Sequence, residues 1–154
     1  MAGTSAFGTI LAFGDGDTPE VFHKLGAIKD VSGPSLARDT IEKTNMNSPQ
    51  GYREFIGGLR DAGEVSFDIE TDFSATDQDA TDGLWSIWDK DEPVNWKLIT
   101  RIPATTGSWG FTFAAIVTKF EFANPMEDIH TASVTLKISG PISDPTDMTT
   151  TGII

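Results

Sequence analysis

Residues Glu64-Val65-Ser66-Phe67-Asp68-Ile69-Glu70 alternate polar and apolar side chains without a break. Period-two spacing sends every second side chain to the same face of an extended strand. Val65, Phe67 and Ile69 therefore need a core on one side, and Glu64, Ser66, Asp68 and Glu70 meet solvent on the other. The pattern recurs along the chain. Phe7, Leu11 and Phe13 share a face with Thr9, and Asp15-Gly16-Asp17 with Pro19 makes a turn into a second strand over Val21 to Val31. Trp96, Leu98 and Ile102 line one face of a strand from Asn95 to Ile102. Trp109, Phe111, Phe113, Ala115 and Val117 line one face of a longer strand, but Phe120 and Phe122 fall on the opposite parity. A bulge near Val117 to Lys119 reconciles the two halves. Val134, Leu136 and Ile138 make a last strand, stopped by Gly140-Pro141.

One segment breaks the strand pattern. Across Asp77 to Trp88, Ala80, Leu84, Ile87 and Trp88 recur at helical spacing, and acids cluster at the start, where the helix dipole favours them. The expected fold is mainly β: a β-sandwich or barrel with one flanking α-helix and a long inter-strand loop. At 154 residues the chain reads as a single domain over 1–154. Residues 1–8 and 141–154, rich in Thr, Gly, Pro and Asp, read as terminal arms.

The long loop is the odd feature. From Ser32 to Gly63, about thirty residues carry no sustained period, and a compact domain rarely keeps such a segment unless it binds something. Its apolar residues are spaced out as anchors: Leu36, Ile41, Met46, Phe55 and Ile56. Arg38 and Arg53 stand between them, and Arg60 follows. It reads as an arm that docks on a neighbouring copy of the same protein.

Charge narrows the function. Eleven basic residues against twenty-three acidic ones give a net charge of −12. Nucleic-acid clamping needs several Lys or Arg set against phosphates, and no such cluster exists; an anionic membrane would be repelled as well. Glu64 to Glu92 holds ten acids and one base, Lys90, whereas the long segment is nearly balanced. Acidity that merely keeps the protein soluble is the plainer account. The absence of cysteine excludes disulfides, Cys-based zinc sites and thiol catalysis. With no secretory signal and no apolar run near the roughly 20 residues that span a bilayer, a protein made in a cytosol is expected.

Catalytic and metal motifs are weak. His23 and His130 stand in no nucleophile or ligand pattern, and neither a nucleophile elbow nor a phosphate loop occurs. Asp77-x-Asp79 followed by Asp82-Gly83 hints at a calcium loop. Its glycine comes one position late, and Trp88 stands where the bidentate Glu belongs. No enzymatic activity, metal or cofactor is expected. Trp85, Trp88, Trp96 and Trp109 could stack on a sugar, but core packing accounts for them more simply.

The order of pieces resembles the major tail tube protein of long-tailed bacteriophages. The resemblance runs over roughly residues 7 to 142: an N-terminal hairpin, a polar loop opening with Val31-Ser32-Gly33-Pro34, and the Arg38-Asp39-Thr40-Ile41-Glu42-Lys43-Thr44 stretch. It continues through Phe55-Ile56-Gly57-Gly58-Leu59-Arg60-Asp61-Ala62-Gly63-Glu64-Val65, one helix, and a strand ending Lys137-Ile138-Ser139-Gly140-Pro141. It implies a structural virion protein that assembles into stacked hexameric rings, a channel for genome delivery. Leu36, Arg38, Ile41, Met46, Arg53, Phe55, Ile56 and Arg60 would then lie at subunit interfaces, and Asp68 and Glu70 would line the lumen. Its implied partners are itself, a tape-measure protein in the lumen, and tail-tip and tail-terminator proteins, with DNA passing through unbound. Alternatives are a related ring-forming tail terminator or secretion-tube protein, and a monomeric β-sandwich that binds a ligand.

Overall fold

The structure, a computed structural model, describes residues 8–101 and 108–147. Ten strands carry the chain: β1 (Ile10–Gly14), β2 (Phe22–Lys24), β3 (Ile28–Ser32), β4 (Ala37–Glu42), β5 (Phe55–Asp61), β6 (Glu64–Glu70), β7 (Val94–Arg101), β8 (Ser108–Ala123), β9 (Thr131–Ile138) and β10 (Thr146–Asp147). One helix, α1 (Leu84–Trp88), lies between β6 and β7. The mainly β reading with one lone helix holds. Phe7, Ile102 and the outer parts of both terminal arms lie outside the described residues.

The main sheet runs β2-β1-β7-β8-β9-β6-β3, every neighbouring pair antiparallel, with β10 also on β8. β8 is the seam. Its first half pairs with β7 and β10, and its second half pairs with β9 from Ala115 onward. The register shifts between Val117 and Lys119, where the parity change in the sequence places a bulge. Bulged strands turn the corner between packed layers. Two layers result, β2-β1-β7-β8 and β8-β9-β6-β3, and the sheet does not close into a barrel. β2 and β3 end the sheet at opposite edges yet are joined by residues 25–27, so Lys24 and Ile28 lie about 14 Å apart at most. The two edges therefore come close at that corner.

Leu11, Phe13, Trp96, Leu98 and Phe113 from one layer meet Val65, Phe67, Ile69, Val134 and Leu136 from the other, all buried. The Trp96 ring lies 5.9 Å from Phe13 and 6.4 Å from Phe67, bridging the layers. Burial of side chains this size stabilises by about 1.5–3 kcal/mol each. The alternation over Glu64–Glu70 reappears as a strict inward-outward burial pattern.

Three expectations change. The strand expected over Val21 to Val31 is two strands, β2 and β3, interrupted where Ala27 takes φ 58 and the Gly26 N–H is drawn to Asp77 Oδ2 at 2.7 Å. The helix expected over Asp77 to Trp88 covers only its last five residues, because Asp79 Oδ1 accepts the N–H groups of Thr81, Asp82 and Gly83 and holds turns ahead of it. The long connection between β3 and β6 is present but is not weakly structured. It folds into the two-stranded hairpin β4–β5.

Candidate subunit interface

The hairpin β4–β5 is a separate two-stranded sheet. Every residue of β4 is exposed, and so is all of β5 except the half-buried Gly58. A strand pair normally buries one face; this one buries neither. Ile41 stands directly across from Ile56, Glu42 from Phe55, and Arg38 from Arg60. The residues expected at an interface are thus arranged in two groups and outliers. Ile41 and Ile56 form one cross-strand apolar pair, and Phe55 lies beside them on the opposite face of the ribbon. Met46 and Arg53 sit in the connecting tip, with Met46 wholly exposed. Leu36 lies at the base and, with Arg38, Arg60, Ile142 and Pro145, lines a groove of about 800 Å³.

Arg38 and Arg60 face each other as like charges, an arrangement that opposes strand pairing. Among the described residues neither forms an ion pair, and neither do Lys43 or Arg53. The register shifts between Arg38 and Thr40, and the Arg38 guanidinium lies over Gly57, in the space a side chain there would fill. Leu59 and Tyr52 are further exposed apolar side chains that the spacing of anchors missed. Leu59 is hidden in the sequence by the Gly57-Gly58 pair before it, which breaks any readable period.

The neck of the hairpin is built from two glycines. Gly33 on the way out (φ 103) lies against the Glu64 carbonyl, and Gly63 on the way back (φ 76) lies against the Ser35 carbonyl. A Cβ at either position would collide with the backbone of the other limb, and φ in that range is strained for any side chain. Asp61 closes the neck: Oδ1 accepts the Gly63 N–H at 2.8 Å, and Lys137 Nζ lies 3.5 Å from Oδ2. These two contacts, the N–H first, hold the Asp61 carboxyl below the usual carboxylate range.

Asp68 and Glu70 lie elsewhere, on the outward face of β6. Asp68 Oδ1 accepts the Ser133 hydroxyl at 2.7 Å, and Lys29 Nζ stands 3.7 Å from Glu70. Thr131, Ser133, Thr135 and Lys137 of β9 share that face by register. It is polar throughout, and its acids are partly offset by Lys29 and Lys137. Among the described residues, the second half of β8 has a strand on one side only, and so does β3. The layer carrying Asp68 and Glu70 therefore has two open edges.

Two of the acids that suggested a calcium loop, Asp77 and Asp79, are engaged within the chain. Asp79 is held below its ordinary range by the N–H groups of Asp82, Gly83 and Thr81, and Asp77 holds Gly26. Gln78, which sequence reasoning passed over, is buried; its amide donates to the Glu70 carbonyl at 2.9 Å and accepts the Asp72 N–H at 3.0 Å. Of the tryptophans only Trp96 is fully buried, while Trp85, Trp88 and Trp109 are part-exposed.

The model of the phage tail tube protein family matches residues 6–144. The chain belongs to that family. It is a structural tube protein of the phage tail. No curated protein sequence matches it. Similar folds occur in the virion of a native gene transfer agent particle, at 17% identity and TM-score 0.67, over 92% of this chain and 98% of that one. The tail of an empty gene transfer agent particle, refined with C6 symmetry, contains another (14%, TM-score 0.69, 92% and 98%). A third comes from the sheath/tube terminator structure of an extracellular contractile injection system (15%, TM-score 0.67, 94% and 99%). No helix among the described residues of this tube protein is long and apolar enough to cross a membrane.

Proposed function

We propose that copies of this chain join into hexameric rings that stack into a tube, with the β4–β5 hairpin as the arm that docks on a neighbouring copy. The observation that carries this reading is the hairpin's exposure on both faces. An isolated two-stranded ribbon is marginal in water at best. Leu36, Ile41, Met46, Phe55 and Ile56 gain about 1.5–3 kcal/mol each only if something covers them fully. Arg38, Arg53 and Arg60 supply charge that a chain of net −12 needs to approach its own kind. Sixfold symmetry is supported by the C6 tail in which a similar fold occurs.

In this reading the open edges of β3 and β8 pair between subunits only once the hairpin has docked, which removes edges that otherwise invite aggregation. The outward face of β6 then lines the lumen through Asp68 and Glu70. Carboxylates there repel phosphate, so DNA slides past a tape-measure protein's vacated channel without sticking. Tail-tip and tail-terminator proteins close the two ends. Negative-stain electron microscopy of the concentrated protein tests the reading. Hollow tubes or stacked rings are expected. Single rings that never stack would point instead to a terminator, and particles without a central hole would overturn the tube.

A further inference from the structure

The chain carries a second apolar surface, at the opposite end of the sheet from the hairpin. The hairpin leaves β3 and enters β6 where Glu64 pairs with Lys137. Six residues later, about 20 Å along the strands, β6 ends at Glu70 beside Thr131 and Ala123. There Phe73, Trp85, Phe120 and Phe122 gather into one cluster. Phe120 and Phe122 stack at 4.8 Å, Phe73 meets Trp85 edge-on at 5.9 Å, and Trp85 lies 6.2 Å from Phe122. Phe73 is 49% exposed, Trp85 39% and Phe122 40%. The bulge in β8 delivers two of these rings, since it turns Phe120 and Phe122 to the same side as Val134 and Ala132. The cluster is the inner layer of the sandwich running out past the end of its cover.

We propose that this aromatic face is the seat for the β4–β5 hairpin of a second copy of the chain. The inference rests on the reading of the hairpin as a docking arm and adds where it docks. Charge selects the occupant. Residues 72–92 around the face hold seven acids and one lysine, and Glu127 and Asp128 follow Phe122. The hairpin brings Arg38, Lys43, Arg53 and Arg60, none of them ion-paired among the described residues. Guanidinium groups suit both parts of the face, since they pair with carboxylates and stack on aromatic rings. Placement selects the geometry. An arm at one end and a seat at the other make a head-to-tail contact, in which each copy uses one surface to give and another to receive, so the contact propagates instead of stopping at a dimer.

Two variants break one half each: Phe55→Asp in the hairpin and Phe73→Asp in the face, the latter in a loop where the wild-type ring is half exposed. Sedimentation velocity on the intact chain is the readout, with thermal melting as the folding control. Wild type forms oligomers at high concentration. Each variant alone sediments as a monomer and melts like wild type. Mixed in equal amounts they form a dimer and nothing larger, because one intact hairpin meets one intact face. If Phe73→Asp melts early, Phe73→Ser takes its place in the same mixture. Normal assembly by a folded Phe73 variant, or an equimolar mixture that stays monomeric, overturns the seat and leaves the docking arm standing. Normal assembly by Phe55→Asp, or a wild type that stays monomeric at high concentration, overturns the arm and the seat together.

Discussion

The curled sheet and the hairpin that leaves it treat the same kinds of side chain in opposite ways. In the sheet, Lys29, Lys119 and Lys137 each reach a carboxylate, and the large apolar groups of β1, β6, β7 and β9 are buried. In the hairpin, four cations reach none among the described residues, and Ile41, Phe55 and Ile56 stand about half exposed. Surface ion pairs contribute little stability, so the contrast is not one of strength. It is one of completion. The sheet buries a core within one chain, and the hairpin leaves its charged and apolar groups uncovered, as the proposed docking arm requires.

The sharpest way to break this division is to cut the sheet's core. Trp96→Ala removes a fully buried ring that bridges both layers, and it should lower unfolding free energy by about 3–5 kcal/mol in urea titrations. Phe55→Ala in the hairpin should stay within about 0.5 kcal/mol in the same titration. Equal losses from the two changes would mean that the hairpin packs on its own domain. The neck comes next. Gly63→Ala forces a side chain into a left-handed backbone position against the Ser35 carbonyl, at a cost on the order of 1–3 kcal/mol. Assembly, read by light scattering, should suffer more than melting does, because the hairpin is redirected while the sheet survives.

Smaller effects probe the outward face and the turns. Replacing both Asp68 and Glu70 with Lys should change melting little, since the Lys29 contact is half exposed, and should slow genome delivery in an infectivity assay more than it harms assembly. Infectivity that survives the reversal would remove these residues from the lumen. The least effect comes from acid. Asp15, Asp61, Asp72 and Asp79 titrate below the unfolded value of 3.8 because each accepts hydrogen bonds in the fold. A depressed carboxyl contributes stability above the unfolded pKa and loses it as pH falls through the folded one. Melting temperature should therefore hold steady down to about pH 4 and decline below 3.8.

How much of this was legible in the sequence follows from where the physics is local. The parity switch from Val117 to Phe120 announced the bulge, because side-chain alternation is a property of the strand itself. The break at Gly26-Ala27 was not announced, since it depends on Asp77, fifty-one positions away. The short helix misled for a related reason: Asp79 spends its oxygen on turns that compete with helix formation. The hairpin was readable as a long, anchor-bearing segment but not as a ribbon, because neither face is buried and no alternation is required of it. Arg38 and Arg60 look unrelated at twenty-two positions apart, and only the register between β4 and β5 brings them face to face.

The paired glycines of the neck reach further than the domain that holds them. Gly33 and Gly63 each rest on the other limb's backbone, so the hairpin's direction is set by main-chain contact and not by a rotatable side chain. In a polymer of identical copies, one angle is applied again at every step. If the hairpin docks as proposed, a few degrees at this neck, compounded along a tube, become its pitch. Two residues without side chains thus act as the chain's protractor.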